Sequence, residues 1–332
     1  MNIDRIKSQA KKLEVVYGIA YSIYVSYLYL KKKSREFRQR ERHCSYGEEN
    51  PDKIFYVIGV PHTTGGLFAI VKSVYCHICY ALQKEYIPVV DMDNFKNQLS
   101  GGTDGGNTWE YYFKQPCGYT LDDIKKSKNV ILSASLPYPK GVEIGFGTPI
   151  NHELHSKNHT IYNKYIIPSN PVSTYIETKL KSVLPTSGKV LGVLCRGTDY
   201  TENKPTGHPI QPNKEQAINH VEKVMAERGY DFVFLATEDQ AIYSTFSNHF
   251  GNRLLFSGQK LYSGMMGKKY LSEIPVADHS EKWQNIVDYY ATIYILSKCD
   301  GIVAGLTCGS ICAYLMSERY EYVYFWNLGK YK

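Results

Sequence analysis

The chain lacks an excess of charge of one sign over most of its length. Its 332 residues carry a formal net charge of +7, and residues 1–42 account for all of it with eleven basic and four acidic residues. Subtracting these from the totals of 39 basic and 32 acidic residues leaves 28 of each in the remainder. This remainder has no basic bias of the kind that nucleic-acid-binding domains carry, so no nucleic-acid partner is expected.

The chain also lacks an apolar run of the ~20 residues that a membrane-spanning helix needs. One uncharged run near the N-terminus, residues 15–30 (VVYGIAYSIYVSYLYL), is rich in tyrosine, is flanked by lysines and has no small-residue signal-peptide cleavage site. Tyrosine with basic flanks suits a helix lying among anionic lipid headgroups. We expect residues 1–50 to form a helical arm, with residues 1–42 contacting a membrane surface. Packing on the main body or on a partner, or a short signal-anchor, are the alternatives. The protein would then be cytoplasmic, on the inner face of the cell membrane if the arm binds it.

The cysteine patterns of a disulfide framework and of a complete zinc site are absent as well. The eight cysteines lack the spacing of a disulfide framework, and Cys76-His-Ile-Cys79 has no second pair to complete a zinc site. Free thiols in a reducing compartment are expected. No G-x-x-x-x-G-K-[ST] segment is present, which argues against a Walker-type NTPase. Cys195 precedes Arg196 directly, without the C-x5-R spacing of a cysteine phosphatase.

What the chain does contain is a regular alternation of apolar strand and helix patterns. In the first half, a strand at Ile54 to Val60 precedes His62-Thr-Thr-Gly65-Gly66, an apolar helix to about Lys84 and a strand at Tyr86 to Val90. This βαβ pattern predicts a parallel sheet with a right-handed crossover. A further short strand is expected at residues 130–133, and the aromatic cluster 109–113 could line an acceptor site or pack in the core.

The second half repeats the alternation. Strands are predicted at residues 190–195, 231–236, 253–256, 301–306 and 321–326, with helices at 213–228, 239–249, 281–297 and 309–317. Two such sets predict an α/β fold with two Rossmann-like domains facing across a cleft. We place the domains at residues 51–185 and 186–332, after the arm.

Polar segments follow three strands of the second half and should meet at one sheet edge, where α/β proteins bind ligands. The first is Arg196-Gly197-Thr198-Asp199, whose arginine fork suits phosphate. In Thr237-Glu238-Asp239, carboxylates could bond a base or a ribose. The third, Thr307-Cys-Gly309-Ser310, opens a helix and suits an anion. A fourth polar segment, the loop at residues 204–208, is expected to be long and mobile enough to cover a ligand. In the simpler interpretation, Asp199 holds its own turn and Thr237, Asp239, Thr307 or Ser310 cap helices.

The order of these segments resembles the fucosyltransferase superfamily, which includes core α1,6-fucosyltransferases, the nodulation fucosyltransferase and protein O-fucosyltransferases, and its bacterial polysaccharide-biosynthesis proteins. The family's HxRRTD loop is similar to residues 194–199 (LCRGTD), and its A-T-[DE]-[DE] segment to residues 236–239 (ATED). Residues 296–310 and, more weakly, Gly65-Gly66 complete the resemblance. Two positions depart from the motif, because Leu194 replaces its histidine and Gly197 its second arginine. The missing histidine is the family's guanine contact.

The resemblance implies a GT-B-like fold and inverting transfer of fucose from GDP-fucose to a glycan or lipid-linked glycan, without a metal or other cofactor. Arg196 would bind the phosphates, with help from the 307–310 turn, because negative charge grows on the leaving diphosphate. Glu202 and His208, in the loop after the arginine, are candidates for the base that deprotonates the acceptor hydroxyl. Asp91 or Asp93 across the cleft could also serve.

Two alternatives belong to other classes. Asp91-Met-Asp93 matches the short DxD motif of metal-dependent GT-A glycosyltransferases, in which a divalent cation bridges carboxylate and diphosphate. The chain could instead be a non-catalytic carbohydrate- or nucleotide-binding partner in a membrane assembly, which the altered positions 194 and 197 would allow. Turnover of a nucleotide sugar would exclude this second alternative.

Overall fold

The computed structural model describes residues 16, 19, 21–31, 33, 40–60, 65–95, 97–100, 105–134, 138–139, 141–142, 152–264, 267 and 270–332. The arm contains a helix, α1, described over residues 21–31. The first half contains β1 (Arg42–Cys44), β2 (Phe55–Ile58), α2 (Leu67–Gln83), β3 (Ile87–Val90), α3 (Thr108–Tyr112), α4 (Leu121–Ile124), β4 (Val130–Leu132), α5 (His152–Tyr165) and α6 (Asn170–Val183). The second half contains β5 (Val190–Leu194), α7 (Thr198–Glu202), α8 (Lys214–Arg228), β6 (Phe232–Ala236), α9 (Gln240–Phe250), β7 (Leu254–Phe256), α10 (His279–Leu296), β8 (Gly301–Gly305), α11 (Cys308–Met316) and β9 (Tyr322–Trp326).

The first sheet has four strands in the order β1-β4-β2-β3. Strand β2 runs parallel to both β3 and β4, so the predicted βαβ unit is present with α2 as its crossover helix. Strand β1 pairs antiparallel with β4 at the sheet edge. Its residues Arg42 to Cys44 lie in the charged link between the arm and the first domain, where no strand was expected. A strand of three residues is too short to show an alternation of apolar and polar residues.

The second sheet has five parallel strands in the order β7-β6-β5-β8-β9. Strand β5 lies at the centre of this sheet and is fully buried. Its uninterrupted apolar sequence, VLGVL, is typical of a strand that is covered on both faces. The chain runs outward from β5 to one edge and then returns to build β8 and β9 on the other side. The ends of β5, β6 and β8 therefore lie side by side, and the predicted α/β class with parallel sheets in both halves is confirmed.

Helix boundaries in the second half follow ordinary capping chemistry. Asn213 accepts a hydrogen bond from the Gln216 backbone N–H at 2.8 Å, and the Gln216 side chain accepts one from the Asn213 N–H at 3.1 Å. This capping box starts α8, and Gly229 ends it in the left-handed conformation with φ 69°. The predicted helix at residues 281–297 begins two residues earlier, because Asp278 accepts from the Glu281 N–H and caps it.

Helices α5 and α6 connect the two halves. His155 Nε2 lies 2.8 Å from the Tyr314 carbonyl oxygen, and His159 Nδ1 lies 3.1 Å from that of Leu315, so α5 packs on α11. Tyr175 of α6 donates a hydrogen bond to Asp288 of α10. Both helices precede residue 186 but pack against helices that follow it. The domain boundary at 185/186 stays a prediction.

The arm presents apolar side chains to solvent. Every described residue of α1 is exposed, from Leu28 at 43% to Ile23 and Leu30 at 65%. None of the helices in the described residues is both long and apolar enough to cross a membrane. Most of residues 1–39 and residues 61–64, including His62, lie outside the described residues.

The aromatic cluster and the cysteines have structural roles. Trp109 is fully buried and stacks on Phe113 with ring centroids 4.3 Å apart, so these two residues pack in the core and do not line an open acceptor surface. Of the four aromatic residues in this cluster, only Tyr111 is exposed, at 37%. All eight cysteines are free thiols, as expected.

Candidate functional site

Arg196 lies at the carboxyl end of the central strand of the second sheet and is held between two carboxylates. Its Nη2 donates to Asp199 Oδ1 at 2.6 Å, and its Nη1 lies 3.3 Å from Glu238 Oε2. The side chain is 13% exposed, and its buried Nε has no hydrogen-bond partner among the described residues. Arg196 therefore keeps one N–H group for a ligand.

The charge of this cluster is set by burial and by the carboxylates. Burial opposes the charged form of Arg196, but Glu238 and then Asp199 outweigh it and raise the guanidinium pKa above its usual range. Burial also raises the pKa of Glu238, and Arg196 only partly offsets that effect. Arg196 remains a cation at every physiological pH, while the carboxylates hold it in one orientation.

The loop after Arg196 is fixed by the segment that follows β6. Glu238 Oε1 accepts hydrogen bonds from the Gly197 N–H at 3.2 Å and the Thr198 hydroxyl at 2.8 Å. Asp239 Oδ2 accepts from the Thr198 N–H at 3.1 Å, and Thr198 adopts φ 43°. Arg196, Gly197, Thr198, Asp199, Glu238 and Asp239 therefore form one network. Sequence reasoning brought these residues to one edge correctly, but it did not anticipate that the carboxylates would hold the loop.

The simpler interpretation of Asp239 as a helix cap holds. Asp239 Oδ1 accepts from the N–H groups of Ala241 and Ile242 at 2.8 and 3.0 Å and so caps α9. The Thr237 hydroxyl accepts from the Asp239 N–H at 3.2 Å. The Asp239 carboxylate thus has structural hydrogen bonds at both oxygens. A base or ribose contact by Thr237, Glu238 or Asp239 stays a prediction.

The segment Thr307 to Ser310 forms the start of α11, next to the Arg196 loop. The Thr307 hydroxyl accepts from the Ser310 N–H at 3.1 Å, and the Ser310 hydroxyl donates to the Gly305 carbonyl at 2.8 Å. These hydroxyls are used within the turn, so they cap the helix. The N–H groups of Cys308 and Gly309 come just before the Ser310 N–H, which Thr307 caps. Amides in the first turn of a helix have no acceptor within the helix. The helix start therefore offers backbone N–H groups and a positive dipole end to an anion.

Two tyrosines near Arg196 were not identified from the sequence. The Tyr200 ring lies 5.2 Å from the guanidinium, and a Cβ on Gly309 would lie 2.7 Å from the Tyr289 hydroxyl oxygen. Burial raises the pKa of both phenols, so both remain protonated hydrogen-bond donors. With 30 tyrosines in the chain, residue type alone could not single out these two.

The two candidate bases lie at the periphery of the cluster. Glu202 is exposed at the end of α7, and a Cβ on Gly264 would lie 3.7 Å from its Oε1. His208 is half-buried, with its ring 5.7 Å from that of Tyr200. Residues 204–208 were expected to form a mobile cover, but backbone hydrogen bonds tie them to the C-terminal segment. Gly207 N–H donates to the Tyr331 carbonyl at 2.8 Å, and Tyr331 N–H donates to that of His208 at 2.9 Å.

Gly65 and Gly66 lead into α2, which packs against the same helix start. Gly66 is the N-cap of α2. Phe68, on the first turn, lies 5.3 Å from the Tyr289 ring, and its carbonyl oxygen lies 4.0 Å from Cys312 Sγ of α11. The N-terminal end of α2, which follows Gly65 and Gly66, therefore lies close to Tyr289, whose hydroxyl group lies next to Gly309.

The Asp91-Met-Asp93 segment is organised as a turn. Asp91 Oδ1 accepts from the N–H groups of Asp93 and Asn94 at 3.0 and 2.9 Å, and its Oδ2 accepts from the Asn94 side chain at 2.9 Å. Asp91 is 5% exposed. Within the part of the chain that the structure describes, no three His, Cys, Asp or Glu residues are grouped to hold a metal ion.

Comparison with solved structures returns fucosyltransferases, the family whose motifs the sequence resembles. The NodZ alpha-1,6-fucosyltransferase soaked with GDP-fucose is 14% identical with a TM-score of 0.45, and covers 80% of this chain and 93% of its own. The fucosyltransferase NodZ from Bradyrhizobium is 13% identical with a TM-score of 0.47, over 80% and 94% of the two chains. POFUT1 in complex with GDP-fucose is 10% identical with a TM-score of 0.48, over 84% and 99%. No protein-family model and no curated protein matches the chain.

Proposed function

We propose that the chain is an inverting, metal-independent glycosyltransferase that moves a sugar from a nucleoside diphosphate sugar to a glycan acceptor. The supporting observation is a buried, permanently charged Arg196 at the carboxyl end of a central parallel strand, with an unpartnered Nε, beside the start of α11. A cation next to free backbone N–H groups is suited to a diphosphate. GDP-fucose is the proposed donor, because the 194–199 and 236–239 segments resemble those of GDP-fucose-dependent enzymes.

In this reaction the bond between the anomeric carbon and the β-phosphate oxygen breaks while the acceptor hydroxyl oxygen bonds to the same carbon. Negative charge accumulates on the departing GDP, and Arg196 with the N–H groups of Cys308 and Gly309 would stabilise it. Because these donors are already oriented by Asp199, Glu238 and the α11 capping box, they need not reorganise as the charge develops. The stabilisation requires no metal ion.

The acceptor hydroxyl must lose its proton as the new bond forms. Glu202 and His208 are the proposed bases, and the proton passes from the hydroxyl oxygen to one of them. A single displacement places the acceptor on the face of the sugar opposite the diphosphate, and the product then has the inverted anomeric configuration.

We propose further that the acceptor is a glycan or lipid-linked glycan of cell-surface polysaccharide synthesis, used at the cytoplasmic face of a membrane. The exposed apolar face of α1 and its lysine flanks support this placement. Apolar side chains would enter the headgroup region, and the basic flanks would be attracted to anionic lipid. The arm would hold the site close to a membrane-bound acceptor.

The experiment that tests the activity combines ligand binding with turnover. The melting temperature of the protein is measured with GDP, UDP, dTDP and CMP, each with EDTA or Mn²⁺, and hydrolysis or transfer of GDP-fucose is then assayed. A ligand that binds only the native state stabilises it by about 2.7 kcal/mol at a hundredfold excess over Kd. We expect a GDP-specific shift that persists in EDTA. A shift only with Mn²⁺ would indicate the metal-dependent alternative, and GDP binding without turnover would indicate a non-catalytic partner.

A further inference from the structure

Lys72 is a lysine buried inside the first half of the chain. It lies on the second turn of α2 and is 1% exposed, in a helix whose neighbouring positions are apolar (LFAIVKSVYCHICYALQ). Burying an ammonium group costs several kcal/mol unless nearby groups compensate for its lost hydration. A lysine in this position therefore calls for a specific explanation. In the sequence, Lys72 is recognisable as the one lysine or arginine of an apolar helix. The proposed glycosyl transfer has so far assigned no role to it.

The helix face that carries Lys72 is the one that meets α11. Phe68 precedes Lys72 by four residues, so the two side chains lie on the same face one turn apart. Phe68 contacts Tyr289 and Cys312, as described above. The Lys72 Nζ lies 4.5 Å from the centroid of the Tyr138 ring, which holds the ammonium in place through a cation–π contact.

Cys308 is the first residue of α11, the helix that packs against the helix of Lys72, α2. Burial raises the pKa of its thiol, and Lys72 and Arg196 both act in the opposite direction. The pKa of Lys72 is itself raised, because Cys308, Tyr138 and Cys76 together outweigh the effect of burial. Lys72 is therefore charged, and the helix that carries it packs against α11, whose first N–H groups belong to Cys308 and Gly309.

We propose that Lys72 is a second phosphate-binding residue of the donor site, contributed by the first half of the chain. This inference rests on the proposed function, because it takes the bound ligand to be a nucleoside diphosphate at the start of α11. The Arg196 guanidinium binds the diphosphate from the second half, and the Lys72 ammonium approaches it from the first. Arginine supplies a planar fork and lysine a compact point charge, so the two contacts are complementary.

This arrangement has a consequence for substrate order. A diphosphate that binds both cations links the two halves of the chain, whereas a nucleoside without phosphates contacts only the second half. Phosphate binding would therefore complete the site before the acceptor reacts. Lys72 would affect the affinity for GDP and have no effect on the affinity for guanosine.

The test compares the Kd values of GDP and guanosine for the wild-type protein and Lys72→Met by calorimetry. We expect the GDP Kd to rise at least about tenfold, equivalent to ~1.4 kcal/mol, with the guanosine Kd unchanged within twofold. Lys72→Arg, which keeps the charge, should recover most of the GDP affinity. Lys189→Met is the matched control, because it removes one positive charge at the opposite edge of the sheet, where Lys189 pairs with Glu321 at 2.7 Å.

The outcomes separate this inference from the proposed function. If wild-type protein binds GDP and Lys72→Met binds it equally well, the role of Lys72 is excluded and the proposed function stands. An equal loss of GDP and guanosine affinity would show a structural role only and would also overturn the inference. If wild-type protein binds no nucleoside diphosphate, both proposals fail. Should Lys72→Met not fold, Lys72→Gln serves as the uncharged variant with the same expected result.

Discussion

The Asp239 carboxylate occupies the space directly beside the Gly197 Cα. A Cβ on Gly197 would lie 2.6 Å from Asp239 Cγ, closer than real Cβ atoms approach any atom. The φ of Gly197 is negative, at −117°, so the close approach of Asp239, and not a left-handed backbone, is the reason for glycine here. In this chain a side chain at position 197 would occupy the space from which Asp239 caps α9 and holds the Thr198 N–H.

Gly197→Ala should therefore destabilise the protein and weaken GDP binding together. Overpacking of this kind costs about 1–3 kcal/mol, and relief of the clash would displace Asp239 from its cap. Urea denaturation measures the free energy of unfolding, and the GDP-induced shift in melting temperature measures binding. Gly66→Ala is the stability control, since no atom lies within 4 Å of a Cβ built there. Equal stability of Gly197→Ala and wild type would contradict the described contact.

Arg196→Lys should retain the fold but lose most of the GDP affinity. The lysine keeps the charge near Asp199 and Glu238 but cannot bond two carboxylates and a phosphate with one fixed fork. Arg196→Ala should also lower the stability of the fold by about 3–5 kcal/mol, because removing one partner of a buried ion pair leaves the carboxylates with uncompensated charge. Melting temperatures with and without GDP separate the two effects. Wild-type GDP affinity in Arg196→Lys would exclude the proposed phosphate contact.

The general base can be assigned by comparing Glu202→Gln with His208→Gln. Loss of the base should lower kcat by about 10²–10⁴-fold and leave the Kd for GDP unchanged, because neither residue belongs to the phosphate-binding network. Since Glu202 is exposed and His208 is only half-buried, both variants should fold normally. Circular dichroism and GDP binding serve as controls. If both variants keep wild-type kcat, the base lies elsewhere, and Asp91 and Asp93 become the next positions to substitute.

Deleting residues 1–39 should abolish binding to anionic vesicles without reducing GDP affinity. This endpoint spares β1, which pairs with β4 from Arg42 to Cys44 and would be damaged by removal of residues 1–42. Flotation with phosphatidylserine-containing vesicles measures the membrane contact, and neutral vesicles show the contribution of the basic flanks. If the truncated protein floats as well as the full chain, the arm is not the membrane contact.

The sequence by itself determined the order of the elements and the edge at which polar residues gather. An uninterrupted apolar run such as residues 190–194 indicates a parallel strand that is buried on both faces. The carboxyl ends of neighbouring parallel strands lie at the same edge of the sheet. The positions of Arg196, Glu238 and Thr307 after successive strands follow from this local pattern. A short helix such as α7 and an edge strand such as β1 were missed, because each has too few residues to show a period.

Only the tertiary structure decided which polar groups remain for a ligand. Asp199, Glu238 and Asp239 sit at the predicted edge, but their carboxylates are occupied by Arg196, by the loop N–H groups and by the α9 cap. Lys72 and Tyr289 are far from Arg196 in sequence, and their helices, α2 and α10, both pack against α11 only in the folded chain. The physical reason is that hydrogen-bond partners and burial depend on contacts between distant segments, whereas strand and helix patterns are properties of neighbouring residues.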